Sequence, residues 1–119
     1  MAGKPLLICA SADLVDGGPG VRFVLGEGAG APPGFAVRQG GRVFAYLNSC
    51  PHVGTELDWN PGEFFDMSGA YLVCSTHGAL FEPASGLCVA GPCRGASLER
   101  IEALETAQGV FVMASPACR

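Results

Sequence analysis

Cys50-Pro51-His52 and Cys74-Ser75-Thr76-His77 are the two stretches on which the reading of this chain turns. Each pairs a thiol with an imidazole inside a short segment, and together they contain both histidines of the 119-residue sequence. One residue separates the first pair and two separate the second, so each loop can turn sharply and aim both side chains at one point. Packing alone gives no reason for that arrangement. Thiolate sulfur and neutral imidazole nitrogen are borderline-soft donors suited to zinc or iron, and Cys50, His52, Cys74 and His77 are therefore candidate metal ligands.

The rest of the composition limits what such a site can serve. A chain of this length predicts one domain, residues 1–119, with a small hydrophobic core. The 18 glycines and 9 prolines predict many turns and short strands rather than long helices. Only 15% of residues are charged and the net charge is −4, so no basic stripe exists to neutralise phosphates and nucleic acid is excluded as a partner. The apolar run Leu6-Leu7-Ile8-Cys9-Ala10 is too short for a signal sequence or a membrane span and reads as a first strand. The chain is accordingly expected in the cytoplasm, without a membrane anchor. In a secreted domain the 6 cysteines would predict three disulfides; here metal ligation is the better reading for the pair beside histidines.

Strand patterns recur along the chain. Val21–Leu25 is a second strand, and Phe35–Arg38 and Arg42–Leu47 flank Gly40-Gly41, a hairpin turn. Asn48–Gly69 is long and irregular, which in a compact domain predicts function. Ala70–Val73 leads into the second Cys-His pair. Ala79–Phe81 and Leu87–Val89 flank the turn Glu82–Gly86. Ser97–Leu104 and Gly109–Ala114 complete nine or ten strands, with Leu98–Glu105 also compatible with a short helix. The fold class is all-β and antiparallel: a base barrel or sandwich from the strands before residue 48 and after residue 96, with a smaller inserted β subdomain, about residues 48–95, that carries the metal.

Two metal centres fit the four donors. One is a tetrahedral Cys2His2 zinc site; the other is a [2Fe–2S] cluster with two cysteines on one iron and two histidines on the other. Zinc fingers usually place Cys-Cys in one half and His-His in the other, often on a helix. Here each half is Cys-His amid strand and loop. Split pairing suits a dinuclear centre, because each loop then gives one ligand to each iron. Gly54 and Gly78 follow the histidines closely, where the absence of a Cβ lets backbone N–H groups approach bridging sulfides.

The chain here resembles the Rieske family: Cys50-Pro51-His52, then Cys74-Ser75-Thr76-His77-Gly78, then Gly91-Pro92 in a third loop. The resemblance implies one [2Fe–2S] cluster, with Cys50 and Cys74 on the buried iron and His52 and His77 on the outer one, their far nitrogens exposed. It also implies that Gly91-Pro92-Cys93 covers the cluster from one side. The quinol-oxidising members carry an extra cysteine in each cluster loop, joined as a disulfide; the matching positions are Thr55 and Thr76. Their serine and tyrosine donors to the cluster sulfurs fall at Ala79 and Phe81. Losing donors to the sulfurs disfavours the reduced, more negative cluster, so a low potential is expected, towards the bottom of the Rieske range of about −150 to +300 mV.

The function implied is that of a soluble Rieske-type ferredoxin, carrying single electrons from a flavin-dependent reductase to a terminal oxygenase or reductase. It would not be an enzyme itself: the large oxygenase subunits need a His/His/carboxylate iron site, and no further histidine remains to build one. The alternatives are a small subunit of a nitrite-reductase-like oxidoreductase and a cluster-based redox sensor. Among the remaining residues, Trp59 and Phe64-Phe65 read as anchors that pack beneath the long loop. Cys88 and Cys93 read as thiols rather than a disulfide, and Cys9 as a core thiol. Asp58, Glu63 and Asp66 read as solvated loop charges, with a docking patch for a basic partner as the other possibility. Glu99, Glu102 and Glu105 are expected on an exposed edge or helix face.

Overall fold

The computed structural model describes residues 4–25, 31–50, 56–58, 62–74, 78–92 and 94–114. Ten strands run through them: β1 (Lys4–Cys9), β2 (Val21–Val24), β3 (Pro33–Gln39), β4 (Arg42–Leu47), β5 (Leu72–Val73), β6 (Leu80–Phe81), β7 (Cys88–Ala90), β8 (Arg100–Ile101), β9 (Ala103–Thr106) and β10 (Gly109–Ala114). They form three antiparallel sheets, β1-β10-β9, β2-β3-β4-β8 and β5-β6-β7. The fold is all-β, and a single 3-10 turn at Ser11–Asp13 is the helical element among the described residues. No helix there is long and apolar enough to cross a membrane.

The β3–β4 hairpin is the middle layer. Gly40 and Gly41 form its two-residue turn with φ of +63° and +80°, the left-handed pair that matches the twist of the flanking strands. Both carboxylate oxygens of Asp16 fasten that turn, accepting from Gly40 N–H (3.0 Å) and Gly41 N–H (2.6 Å). Side chains alternate across a strand, and here both faces are buried. Ala36 and Ala45 face the β1-β10-β9 side and share a core with Leu14, Ile101, Val110 and Val112. Phe35, Val37, Phe44 and Tyr46 face the other way, into a second core with Leu57, Phe64, Leu72 and Phe81. Small residues on one face and large ones on the other thus set a close sheet-on-sheet contact against a thicker core under the long loop.

The segment after β4 is pinned to this second core by aromatic packing. Phe64 is fully buried and stacks on Phe35, with ring centroids 4.0 Å apart and planes within 10°. Phe35 in turn meets Tyr46 at 6.0 Å, and the Tyr46 hydroxyl donates to the Pro83 carbonyl in the β6–β7 turn. Burial pushes the Tyr46 hydroxyl pKa up. Gly86 closes the same turn at φ +78°, and a Cβ there would lie 2.8 Å from the Tyr46 ring. The ring therefore needs glycine beside it on two counts, backbone and space.

The helix alternative at Leu98–Glu105 is not what forms. Its residues divide into β8, paired with β4, and β9, paired with β10, with Glu102 at the break between two sheets. Ladder bonds to strands on both sides outweigh the helical spacing of the glutamates. Glu105 lies exposed on the edge strand β9, as expected, and there accepts from Arg38 at 2.6 Å, joining the two base sheets.

Replacing Phe64 with Ala removes the stack and leaves a void beneath the long loop. The expected loss is about 3–5 kcal/mol of unfolding free energy, read by chemical denaturation; a loss below about 1 kcal/mol would contradict the anchoring role.

Candidate metal centre

Cys50 follows β4 and Cys74 follows β5, so each sits where a strand of a different sheet ends. Both are buried, at 1% and 0% exposure, and both belong to the one core that also holds Leu57, Phe64, Leu72 and Phe81. The sequence-predicted thiols are thus brought into one water-poor region from positions far apart in the chain. His52 and His77, with Gly54, Thr55, Trp59, Ser75, Thr76 and Cys93, lie outside the described residues.

The local backbone explains how the second thiol is held. Cys74 N–H donates to the Ala79 carbonyl (2.9 Å), and Gly78 N–H donates to the Cys74 carbonyl (2.8 Å). These two bonds hold Cys74 against Gly78 and Ala79. Gly78 has φ of +74°, and among the described residues a Cβ built on it meets no atom within 4 Å. Its backbone conformation alone favours glycine there. Gly91 is different: at φ +103°, its Cβ would come 2.8 Å from the Ala79 Cα. The third loop thus presses directly on Ala79, whose carbonyl accepts from Cys74 N–H. It is closed by Arg94 N–H to the Gly91 carbonyl (3.2 Å) and by Gly95 N–H to the Cys88 carbonyl (3.1 Å). Cys88 is buried, and its Sγ donates to the Ala90 carbonyl at 3.2 Å.

A polar clamp braces the first loop. The Asn48 side chain accepts from Leu57 N–H (2.8 Å) and donates to Asp58 Oδ1 (2.9 Å). Asp58 Oδ2 accepts from Gly62 N–H at 2.9 Å and meets the Arg22 guanidinium at 3.3 Å. Arg22 also pairs with Glu56 at 2.6 Å. Asn48 and Asp58 are 1% and 5% exposed, so each buried oxygen and amide must be matched, and each is. Asp58 is therefore neither a solvated loop charge nor part of a docking patch, which corrects the sequence expectation. Asp66 is likewise occupied, capping its own turn: the Ser68 hydroxyl bonded to it at 2.7 Å holds its carboxyl below the usual range. Sequence reasoning missed Asn48 and Arg22. An Asn and an Asp bracketing a glycine-containing loop was the available signal; Arg22 gave none, because its partners come from elsewhere in the chain.

Two buried thiols, brought into one core from the ends of two different sheets, fit the cysteine side of a soft-metal centre. Ala79, whose carbonyl accepts from Cys74 N–H, and Phe81, which pairs with Leu72, are 1% and 0% exposed and offer no hydroxyl.

The Rieske [2Fe–2S] domain family model matches residues 4–108. No curated protein matches the chain significantly. Among solved structures, the ferredoxin of carbazole 1,9a-dioxygenase from Nocardioides aromaticivorans IC177 superposes with a TM-score of 0.71 at 21% identity, covering 94% of this chain and 98% of its own. The Sphingomonas yanoikuyae B1 ferredoxin gives 0.69 at 23%, with the same coverage. The terminal oxygenase of the Nocardioides carbazole system gives 0.74 at 19%, over 92% of this chain but 30% of the oxygenase. At these identities the structures establish a shared fold, which spans the ferredoxins end to end and a portion of the oxygenase. With the match over residues 4–108, the chain belongs to the Rieske [2Fe–2S] domain family, and its cofactor is one [2Fe–2S] cluster.

Proposed function

We propose that the protein is a low-potential Rieske-type ferredoxin that carries single electrons to a terminal oxygenase. Cys50 and Cys74 would bind the buried iron and His52 and His77 the outer one. Its proposed electron source is a flavin-dependent reductase, and its proposed compartment the cytoplasm. The carrying observation is the pair of buried thiols brought into one core, within a Rieske domain whose fold superposes on those of ferredoxins over 94% of this chain. The cluster, when bound, supplies a one-electron couple. The chain's own residues fix where that couple sits and how it is poised. Phe64, Phe81 and Leu72 exclude water around the thiols. The Asn48–Asp58–Arg22 clamp keeps the first loop closed. Ala79 and Phe81 give no hydroxyl hydrogen bond to stabilise added negative charge, which is the physical basis for a low potential. With no histidine left for a second iron site, oxygen chemistry is assigned to the partner and not to this chain. The subunit and sensor readings have no observation that favours them over the carrier.

Equilibrium redox titration is expected to give a midpoint below zero, and a value well above zero would contradict the account. Ala79→Ser should raise the midpoint by about 60 mV, the one-electron equivalent of a roughly 1.4 kcal/mol hydrogen bond to a charged group. An unchanged midpoint in that variant would remove Ala79 from the explanation. Purified protein should contain two irons and two sulfides per chain, and His52→Ala or His77→Ala should lose the two-histidine EPR signature; its survival in both variants would refute the ligand set. Breaking the clamp with Asn48→Ala leaves Leu57 N–H and Asp58 Oδ1 unmatched, at a cost of about 1–3 kcal/mol. Amide exchange at Leu57 should then accelerate and the cluster should bleach faster on warming. Unaltered exchange at Leu57 would show that the clamp does not hold the loop.

A further inference from the structure

Six described residues carry sulfur: Cys9, Cys50, Met67, Cys74, Cys88 and Met113. Oxidation of a thiol or thioether follows thiolate character and access, and these six differ in both. Cys50, Cys74 and Cys88 are buried. Cys9 is partly buried, and burial, with the Asp13 carboxylate adding to it, pushes its thiol pKa up, so little of it is the reactive thiolate. Met113 is half-buried in β10, where its N–H donates to the Glu102 carbonyl at 2.9 Å. Met67 is the exception, with a relative exposure of 105%.

The turn that presents Met67 is built without its side chain. Asp66 N–H donates to the Tyr71 carbonyl and Val73 N–H to the Phe64 carbonyl, both at 2.8 Å, and Phe65 is bridged to Leu72. Phe64 and Leu72 root this hairpin in the core. At its tip the Ser68 hydroxyl donates to Asp66 Oδ1 (2.7 Å), Ala70 N–H to Ser68 Oγ (3.1 Å) and Gly69 N–H to the Asp66 carbonyl (3.0 Å). Gln39 Nε2 donates to the Gly69 and Ala70 carbonyls, which sets the tip beside the Gly40-Gly41 turn. From that turn β4 runs away for roughly 17 Å along Arg42–Leu47 before Cys50 is reached. Residues 71–73 likewise run from the tip towards Cys74. Met67 therefore lies at the end of the molecule opposite both thiols.

We propose that Met67 is an oxidant-accepting modification site: hydrogen peroxide converts it to the sulfoxide ahead of the other described sulfurs, and the fold and the metal centre are left unchanged. One peroxide oxygen is transferred to Sδ, the O–O bond breaks and water leaves, so sulfur loses two electrons and peroxide gains them. A sulfoxide disrupts structure where the thioether it replaces was packed. At Met67 no packing is lost, and every hydrogen bond of the turn remains. The inference stands apart from the electron-carrier reading, since it needs only the access and chemistry of the sulfurs.

Timed treatment of the holoprotein with hydrogen peroxide, followed by peptide mass spectrometry, tests this. The peptide containing Met67 should gain one oxygen at least about tenfold faster than the peptide containing Met113. Methionine sulfoxide reductases A and B, one for each epimer, should together remove it. The singly oxidised protein should keep the visible absorbance of the cluster and the thermal unfolding midpoint of the untreated protein. Met67→Leu should abolish the fast oxygen uptake at that peptide and leave the rate at Met113 unchanged. A first oxygen on Met113 or Cys9 overturns the proposal. So does a loss of cluster absorbance that tracks Met67 oxidation and is absent from Met67→Leu.

Discussion

A loop that carries a candidate metal ligand away from a sheet must satisfy its own polar backbone where water does not reach, and this chain meets that constraint with one buried carboxylate. Asp58 takes the Asn48 amide on one oxygen and the Gly62 N–H on the other, with Arg22 alongside. Asn48 stands two residues before Cys50, so the clamp fixes the point at which the first ligand loop leaves β4. Removing either partner leaves a buried charge or amide unmatched, which costs more than the hydrogen bond contributes. The position of the Cys50 thiol therefore depends on a residue in β2, which no local pattern around the motif discloses.

The second dependence is mechanical. The β3–β4 hairpin is buried on both faces, with Ala36 and Ala45 against one sheet and Phe35, Val37, Phe44 and Tyr46 against the ligand-bearing segment. The stack of Phe64 on Phe35 and the hydrogen bond from Tyr46 to Pro83 connect that layer to the long loop and to the β6–β7 turn. Strands that end at Cys50 and at Cys74 are thus referred to one rigid layer. Positioning from a packed scaffold costs little reorganisation when charge arrives at the centre, which is what a one-electron carrier requires.

Much of this was legible in the sequence where the signal is local. Gly40-Gly41 reads as a hairpin because only glycine readily adopts two successive positive φ values, and it is one. Val21–Leu25 and Arg42–Leu47 also read as strands, and the strands that form are Val21–Val24 and Arg42–Leu47. The paired Cys-His spacing pointed to the metal before any geometry was known. Leu98–Glu105 was ambiguous because glutamates at helical spacing also fit two short strands, and the choice was made by the strands they meet. Asp58 was misread as solvated because its partners lie before the loop and in β2. Burial of a polar group is a property of the assembled layers, and single-sequence patterns carry no record of it.

The central claim is that one cluster is held by two thiolates on one iron and two imidazoles on the other. Its most direct test is pulsed EPR on the reduced protein, prepared with and without 15N-labelled histidine. The account predicts two strongly coupled nitrogens whose couplings change with the label. A spectrum without histidine nitrogen coupling, or a colourless protein that contains zinc, would contradict it.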